Sequence, residues 1–218
     1  MRETLQIVSN GRRWGSAVAA ALIMMTACGS SSSRFLANQD EKVYLRVPKS
    51  WHDVKLSDGV PDPLTQASSD AKVLSKSVIT TQKDAKEQSD LDGASPFATM
   101  TVYETTGALN QQLSASLARR AVGLVSFDPL LPGDADDGKA EVLDFDPKPT
   151  NAKLSGSRVV YRVRSDKTSD WALTVNLSTF FNPSESRLYA LEVVCSPDCY
   201  DQDAGEIDKI VNSWRIDQ

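Results

Sequence analysis

Between residues 141 and 195 apolar and polar side chains alternate in one segment after another, and a period of two means extended backbone. Val159, Tyr161 and Val163 alternate with Arg158, Arg162 and Arg164. Trp171, Leu173, Val175 and Leu177 do the same against Thr174, Asn176 and Ser178. Strands are predicted over 141–145, 158–164, 171–181 and 188–195, with a turn at Asn182-Pro183-Ser184 between the last two. Such alternation marks antiparallel strands with one face in a core and the other toward water. A further strand is predicted over 97–103, with Phe97, Thr99, Thr101 and Tyr103 on one face and Ala98, Met100 and Val102 on the other. Upstream, Val43, Leu45 and Val47 read as a first strand ending at Pro48, and residues 52–56 as a second.

Two segments change to helical period. Leu109, Leu113, Leu117, Ala121 and Leu124 lay one apolar stripe along about four turns. At the C-terminus Asp203 and Glu206 stand at capping-box spacing, and Ile207, Ile210, Val211 and Trp214 follow as a stripe. One antiparallel sheet with helices packed on it gives an α+β sandwich. Residues 130–138 read as a loop. Residues 57–96 are rich in Asp, Ser, Pro and Gln, and Val73-Leu74 and Val78-Ile79 fit either a strand or a short helix.

The N-terminus has a different character. Arg12 and Arg13 precede an apolar run from Trp14 to Met25 that is too short to span a bilayer, which takes about 20 helical residues. A positive flank, a short apolar core and a small-residue exit describe a secretory signal. The exit, Met25-Thr26-Ala27-Cys28-Gly29, resembles the lipobox of bacterial prolipoproteins, with Met25 where Leu is usual. That resemblance implies cleavage before Cys28 and diacylglycerol on its thiol; the alternative is a plain secretory signal that happens to contain a cysteine. Arg12-Arg13-Trp14 also touches the twin-arginine pattern, but the surrounding residues fit it poorly, and general secretion is the default. Gly29-Ser30-Ser31-Ser32-Ser33 has no apolar side chain and reads as a tether. Two or more acyl chains, at about 0.8 kcal/mol per buried CH₂, hold a protein to a membrane where one is marginal. The expected organisation is a signal peptide over 1–27, a flexible tether with lipidated Cys28 over 28–39, and a single domain over 40–218.

Removing residues 1–27 takes away Arg2, Arg12, Arg13 and Glu3, which leaves 21 basic and 28 acidic side chains and a formal charge of −7. An acidic body with no basic run disfavours nucleic acid as a partner. Of the three cysteines, assigning Cys28 to lipid leaves Cys195 and Cys199, in Cys195-Ser196-Pro197-Asp198-Cys199. An oxidising compartment lets them pair, and Pro197-Asp198 favours a turn that brings them together. So short a ring adds roughly 2 kcal/mol in the loop-entropy account. The other reading is a redox or zinc site, but metal needs further ligands and the only histidine, His52, is far away in sequence.

His52 follows Trp51 at the start of a strand, a position set by packing, yet any histidine-dependent mechanism must use it. Ser69-Asp70-Ala71-Lys72 has the Ser-x-x-Lys pattern of penicillin-recognising enzymes, and Lys167-Thr168-Ser169 distantly resembles their Lys-Thr-Gly; their Ser-Asp-Asn element and large helical region are missing. Asp134-Ala135-Asp136-Asp137-Gly138 has calcium-loop character without the third acid or the closing Glu, and a solvated acidic turn explains it. Asn176-Leu177-Ser178 is a glycosylation sequon placed in mid-strand. Arg119-Arg120 and Arg158, Arg162 and Arg164 could hold an anion, or simply face solvent.

Three further features go together: Val47-Pro48-Lys49-Ser50-Trp51 after a first strand, a meander ending in Leu188-Tyr189-Ala190-Leu191, and Ile207-Asp208-Lys209-Ile210-Val211-Asn212-Ser213-Trp214 at the terminus. They resemble the Mog1/PsbP-like fold and, within it, the actinobacterial LpqN-type lipoproteins, over residues 40–218. The resemblance implies a curved antiparallel sheet covered by helices, adaptor roles between proteins and, for lipoproteins, support of the cell envelope. The matching residues form the fold, so no catalytic residue is implied. The expectation is a lipid-anchored extracytoplasmic binding or accessory protein of the cell envelope. It has no catalytic residue, metal or cofactor, and its partner is an envelope protein, lipid or glycolipid. The alternatives are a carrier of a small apolar ligand held between sheet and helices, and an envelope hydrolase using Asp144 and Asp146 as acid and base.

Overall fold

Where side chains alternate the backbone is extended, and the computed structural model pairs these segments into two antiparallel sheets. It describes residues 32–57, 62–107, 109–110, 140–146, 154–165 and 170–217. Strands β1 (Ser33–Asn38) and β2 (Val43–Pro48) lead into β3 (His52–Val54), the short helix α1 (Pro63–Ala67), β4 (Ala71–Thr80) and β5 (Phe97–Thr105). Then follow β6 (Ala140–Asp146), β7 (Ser155–Arg164), β8 (Trp171–Asn182), β9 (Arg187–Cys195), helix α2 (Pro197–Asn212) and β10 (Arg215–Ile216). The larger sheet is open and seven-stranded, in the order β3-β4-β5-β9-β8-β7-β6; β1-β2-β10 form a second sheet of three. The architecture is α+β, an antiparallel sheet with helices on it.

One face of the large sheet is covered by α2 and the small sheet. Val43, Leu45 and Val47 meet Met100, Leu191, Val193, Ile207, Ile210 and Trp214 there, all buried. The other face holds two apolar clusters, one around Leu64, Tyr103, Phe181 and Leu188, the other around Tyr161, Val175, Leu177 and Val194. A register shift between Val73 and Ser75 resets the alternation, so Ala71 and Val73 face one side while Leu74 and Ile79 face the other, which is why the β4 sequence lacks a clean period of two. Gly156 lets β7 lie tight on β8, because a Cβ there would collide with the Thr179 carbonyl and the Phe180 ring.

Several expectations need correction. The tether expected over 28–39 is strand from Ser33, paired with β2 through Ser33↔Pro48 to Asn38↔Val43, so the strand at Val43 is the second and not the first. Leu36 explains the difference: as the inward residue of β1 it packs on the core, and a single inward apolar anchor flanked by the outward Phe35 and Ala37 breaks the apolar–polar alternation that marks a strand in sequence. The ambiguous Val73–Ile79 region is the ten-residue strand β4. The terminal helix starts six residues before the Asp203 expected to cap it. Ser196 is the N-cap and takes the Cys199 N–H, Pro197 occupies the first turn, and Asp198 adds a charge favourable at a helix N-terminus. The water-facing side expected for β8 is interior: Thr174, Asn176 and Ser178 are all buried beneath α2. Of the helix expected from Leu109 to Leu124, only its beginning lies among the described residues: the backbone turns helical at Gly107 and Leu109 is buried.

Candidate functional site

The polar side of β8 gathers the most connected side-chain network. Asn176 is fully buried; its Nδ2 donates to Tyr200 Oη at 2.9 Å and its Oδ1 accepts from Arg158 Nε at 2.9 Å. Arg158 pairs onward with Asp208, and Arg162 with Asp201 at 3.1 Å, so two arginines of β7 grip two acids of α2. Burial pushes the Tyr200 phenol above its ordinary pKa, against the pull of the Asn176 hydrogen bond. Arg164, near the end of β7, stacks its guanidinium 4.0 Å over the Trp171 ring. The three arginines expected to face solvent or an anion therefore fasten the terminal helix and the β8 edge. Asn176 is sealed inside the folded domain, where no glycan could be accommodated.

A second cluster lies on the opposite face. Asp62 caps α1 by accepting from the Leu64 and Thr65 N–H groups, takes the Tyr103 hydroxyl at 3.1 Å, and stands 3.8 Å from Lys76 Nζ. Burial, and then the Asp62 charge, raise the Tyr103 pKa far above its ordinary value, so the phenol stays neutral. This arrangement fixes α1 to the sheet, because each member satisfies another.

The remaining candidates are scattered. His52 Nε2 lies 3.2 Å from the Ala85 carbonyl oxygen, and that backbone contact is its recorded partner. Ser69 and Lys72 are exposed, on a turn and on β4. Asp144 is exposed on the edge strand β6 and accepts from the neighbouring Phe145 N–H at 2.9 Å, a local contact and not an acid–base arrangement. Cys28, Arg119, Arg120, Asp134, Asp136, Asp137 and Lys167 lie outside the described residues. Cys195 ends β9 and Cys199 sits in the first turn of α2; their Cα atoms are 5.9 Å apart, their sulfurs are bonded, and both residues are buried. Among the described residues no three His, Cys, Asp or Glu side chains are grouped so as to hold a metal ion.

Among the described residues a cleft of about 770 Å³ lies where β1, β2 and the second half of α2 meet. Val47, Pro48 and Ile210 form its floor, while Ser33, Arg46, Ser50, Glu206, Lys209 and Ser213 are among the polar residues that line it. Glu206 is held by Trp51, whose Nε1 donates to it at 2.8 Å. Ser213 closes α2 and ties it to β2, accepting from the Arg46 N–H and donating to the Arg46 carbonyl, both at 3.0 Å. No motif announced this cleft, because it joins residues from both ends of the chain.

No family model matches the sequence, and no curated protein does. Among solved structures the chain is similar to a cyanobacterial PsbP from Synechocystis, at 11% identity over 88% of this chain and 96% of that one, with a TM-score of 0.49. It is also similar to LpqN of Mycobacterium tuberculosis, described as involved in cell envelope biogenesis, at 14% identity over 85% and 91% with a TM-score of 0.45. The Saccharomyces cerevisiae Ran-binding protein Mog1p matches at 10% identity over 84% and 95%, again with a TM-score of 0.45. PsbP and Mog1 are the proteins for which the Mog1/PsbP-like fold is named. Likenesses this distant concern fold alone, so function has to be argued from this chain's own residues.

Proposed function

We propose that this chain is a lipid-anchored binding or accessory protein on the extracytoplasmic face of a bacterial cell membrane, cleaved before Cys28, and that it acts through contacts with an envelope protein, lipid or glycolipid. The observation that carries the non-catalytic part is how the ionisable side chains are engaged. Arg158–Asp208, Arg162–Asp201, the Asp62–Lys76–Tyr103 cluster and Arg187 with Glu41 and Glu104 all fasten strands, helices or turns to one another. A catalytic centre needs a nucleophile or base held free for substrate. His52, Asp144 and Asp146 sit apart from the cleft lining. Among the described residues no helix is long and apolar enough to cross a membrane, and an acylated Cys28 would supply attachment without one.

Cys28→Ser tests the anchor. The variant should lack the acyl mass at the N-terminus and accumulate as uncleaved precursor, because signal peptidase II acts on the lipidated cysteine. A variant that matures at the same bond and stays in the membrane fraction would refute it. Crosslinking in intact cells, with partners identified by mass, tests the binding role. Turnover of an envelope substrate that is abolished by Asp144→Asn or Asp146→Asn would replace that role with an enzymatic one.

A further inference from the structure

The outer face of the three-stranded sheet differs from the rest of this acidic protein. Cross-strand partners share a face, so Phe35 lies beside Arg46, and Tyr44 lies between Ala37 and Arg215. Phe35 is 72% exposed, the most exposed large hydrophobic residue among those described. Arg46 donates from Nε to Ser33 Oγ at 2.8 Å, which lays its guanidinium along this face, and Lys209 joins it across the cleft. Among the described residues no carboxylate pairs with Arg46, Arg215 or Lys209, whereas Arg34, Arg158, Arg162 and Arg187 are all paired. The acid in the cleft wall, Glu206, is held by Trp51. Three cations without a carboxylate partner beside an exposed aromatic ring, against the one acid Glu206 in the cleft wall, make a local exception to the overall field of a chain of net charge −5.

We propose that this face is a membrane-surface docking patch: Phe35 enters the headgroup region of the anchoring bilayer, and Arg46, Arg215 and Lys209 pair with lipid phosphates. The inference rests on the lipid-anchor reading and deepens it. Four residues stand between Cys28 and Ser33, and the five steps from one to the other reach at most about 18 Å when extended, so β1 cannot leave the neighbourhood of the membrane. Aromatic rings favour the interfacial layer, where an apolar body and a wet edge are both satisfied. Arginine matches the phosphate group through paired N–H donors. Attraction to anionic headgroups fades beyond about 10 Å at ordinary salt, and a tether that reaches at most about 18 Å lets this face approach within that distance. The patch would set the orientation of the domain, leaving the far edge of the large sheet, at β6, directed away from the bilayer.

The test uses the mature full chain carrying Phe35→Cys, labelled with a polarity-sensitive fluorophore and reconstituted into vesicles of phosphatidylglycerol and phosphatidylcholine. Cys195 and Cys199 are buried and do not compete for label. A second preparation is labelled at Leu143→Cys, an exposed site on β6. The patch predicts a blue-shifted label at 35 that is quenched several-fold more by lipids carrying a nitroxide near the headgroup than the label at 143. Arg46→Glu with Arg215→Glu, or vesicles of phosphatidylcholine alone, should remove most of that difference. Equal quenching at both sites, or self-quenching at 35 that reports a second copy of the chain paired along β1, would overturn the proposal. The N-terminal mass of each preparation reads the anchor separately. An acylated chain without selective quenching refutes the patch alone, and an unacylated chain that still quenches at 35 refutes the anchor alone.

Discussion

Removing the Asn176 side chain isolates what the buried polar face of β8 contributes. Asn176→Ala deletes two hydrogen bonds, one to Tyr200 Oη and one from the charged Arg158, and leaves both partners facing the gap where α2 packs on β7 and β8. A bond between neutral groups contributes about 1 kcal/mol and one to a charged group about 1.5–3 kcal/mol, so the loss should be about 2–4 kcal/mol. The Arg158–Asp208 pair softens this little, because Asp208 is half exposed and such pairs are worth about 0–1 kcal/mol. Tyr200→Phe removes only the neutral bond and should cost about 1 kcal/mol. Since the two substitutions share that bond, the double variant should be less destabilised than the sum of the singles by about 1 kcal/mol. Urea unfolding of wild type, both single variants and the double variant measures the cycle. Additivity within about 0.5 kcal/mol would show that the two side chains are not coupled, and the account of this face would fail.

Trp214 is 3% exposed and its ring centroid lies 5.0 Å from that of Phe180, so Trp214→Ala should cost about 3–5 kcal/mol and lower Tm sharply in a thermal melt. Gly205 sits on the exposed side of α2 with nothing within 4 Å of where a Cβ would stand; Gly205→Ala should stabilise by about 0.5–1 kcal/mol in urea unfolding. Pairing of Cys195 with Cys199 predicts that neither residue offers a thiol to label in the native protein, and that reduction costs roughly 2 kcal/mol without unfolding it; two freely labelled thiols would end that reading. Burial raises the pKa of Tyr103 and Tyr200 and pushes Tyr189 up to about 12 from an ordinary 10. A raised folded-state pKa means stability that is intact below pH 10 and lost as pH climbs through about 12, which phenolate absorbance followed alongside far-UV circular dichroism will detect.

How much of this was legible depends on whether a residue's environment is set by its neighbours in sequence or by distant elements. β5, β7, β8 and β9 could be read because a two-residue period survives wherever at least one face is apolar. The stripe Ile207, Ile210, Val211 and Trp214 could be read because the i, i+3, i+4, i+7 spacing is local, and these side chains are buried. The start of α2 was misplaced because Asp203-x-x-Glu206 imitates a cap, while the real cap, Ser196, stands beside two cysteines that invite a different explanation. β1 was missed because three polar or charged residues and an exposed Phe35 leave Leu36 as its lone inward anchor. The cleft was illegible because β1, β2 and α2 meet only in the folded chain.

The misread face of β8 shows why a polar residue in a strand is not the same as a residue facing water. Thr174, Asn176 and Ser178 are small enough to lie under a helix, and Asn176 can satisfy itself there only because α2 brings Tyr200 and β7 brings Arg158. Arg158 is admitted in turn because Asp208 of the same helix reaches it. Asn176 and Arg158 are thus matched by groups from distant parts of the sequence, whereas the buried Thr174 and Ser178 hydroxyls have no hydrogen-bond partner among the described residues. An apolar helix docked on those strands would strand the same groups without partners, at about 1–3 kcal/mol each. This favours α2 in one register against β7 and β8, and its docked end, Ser213 on Arg46, forms a wall of the cleft. The buried network therefore positions the surface to which binding is assigned: a change at Asn176 or Tyr200 that shifts α2 should alter the cleft although neither residue touches it.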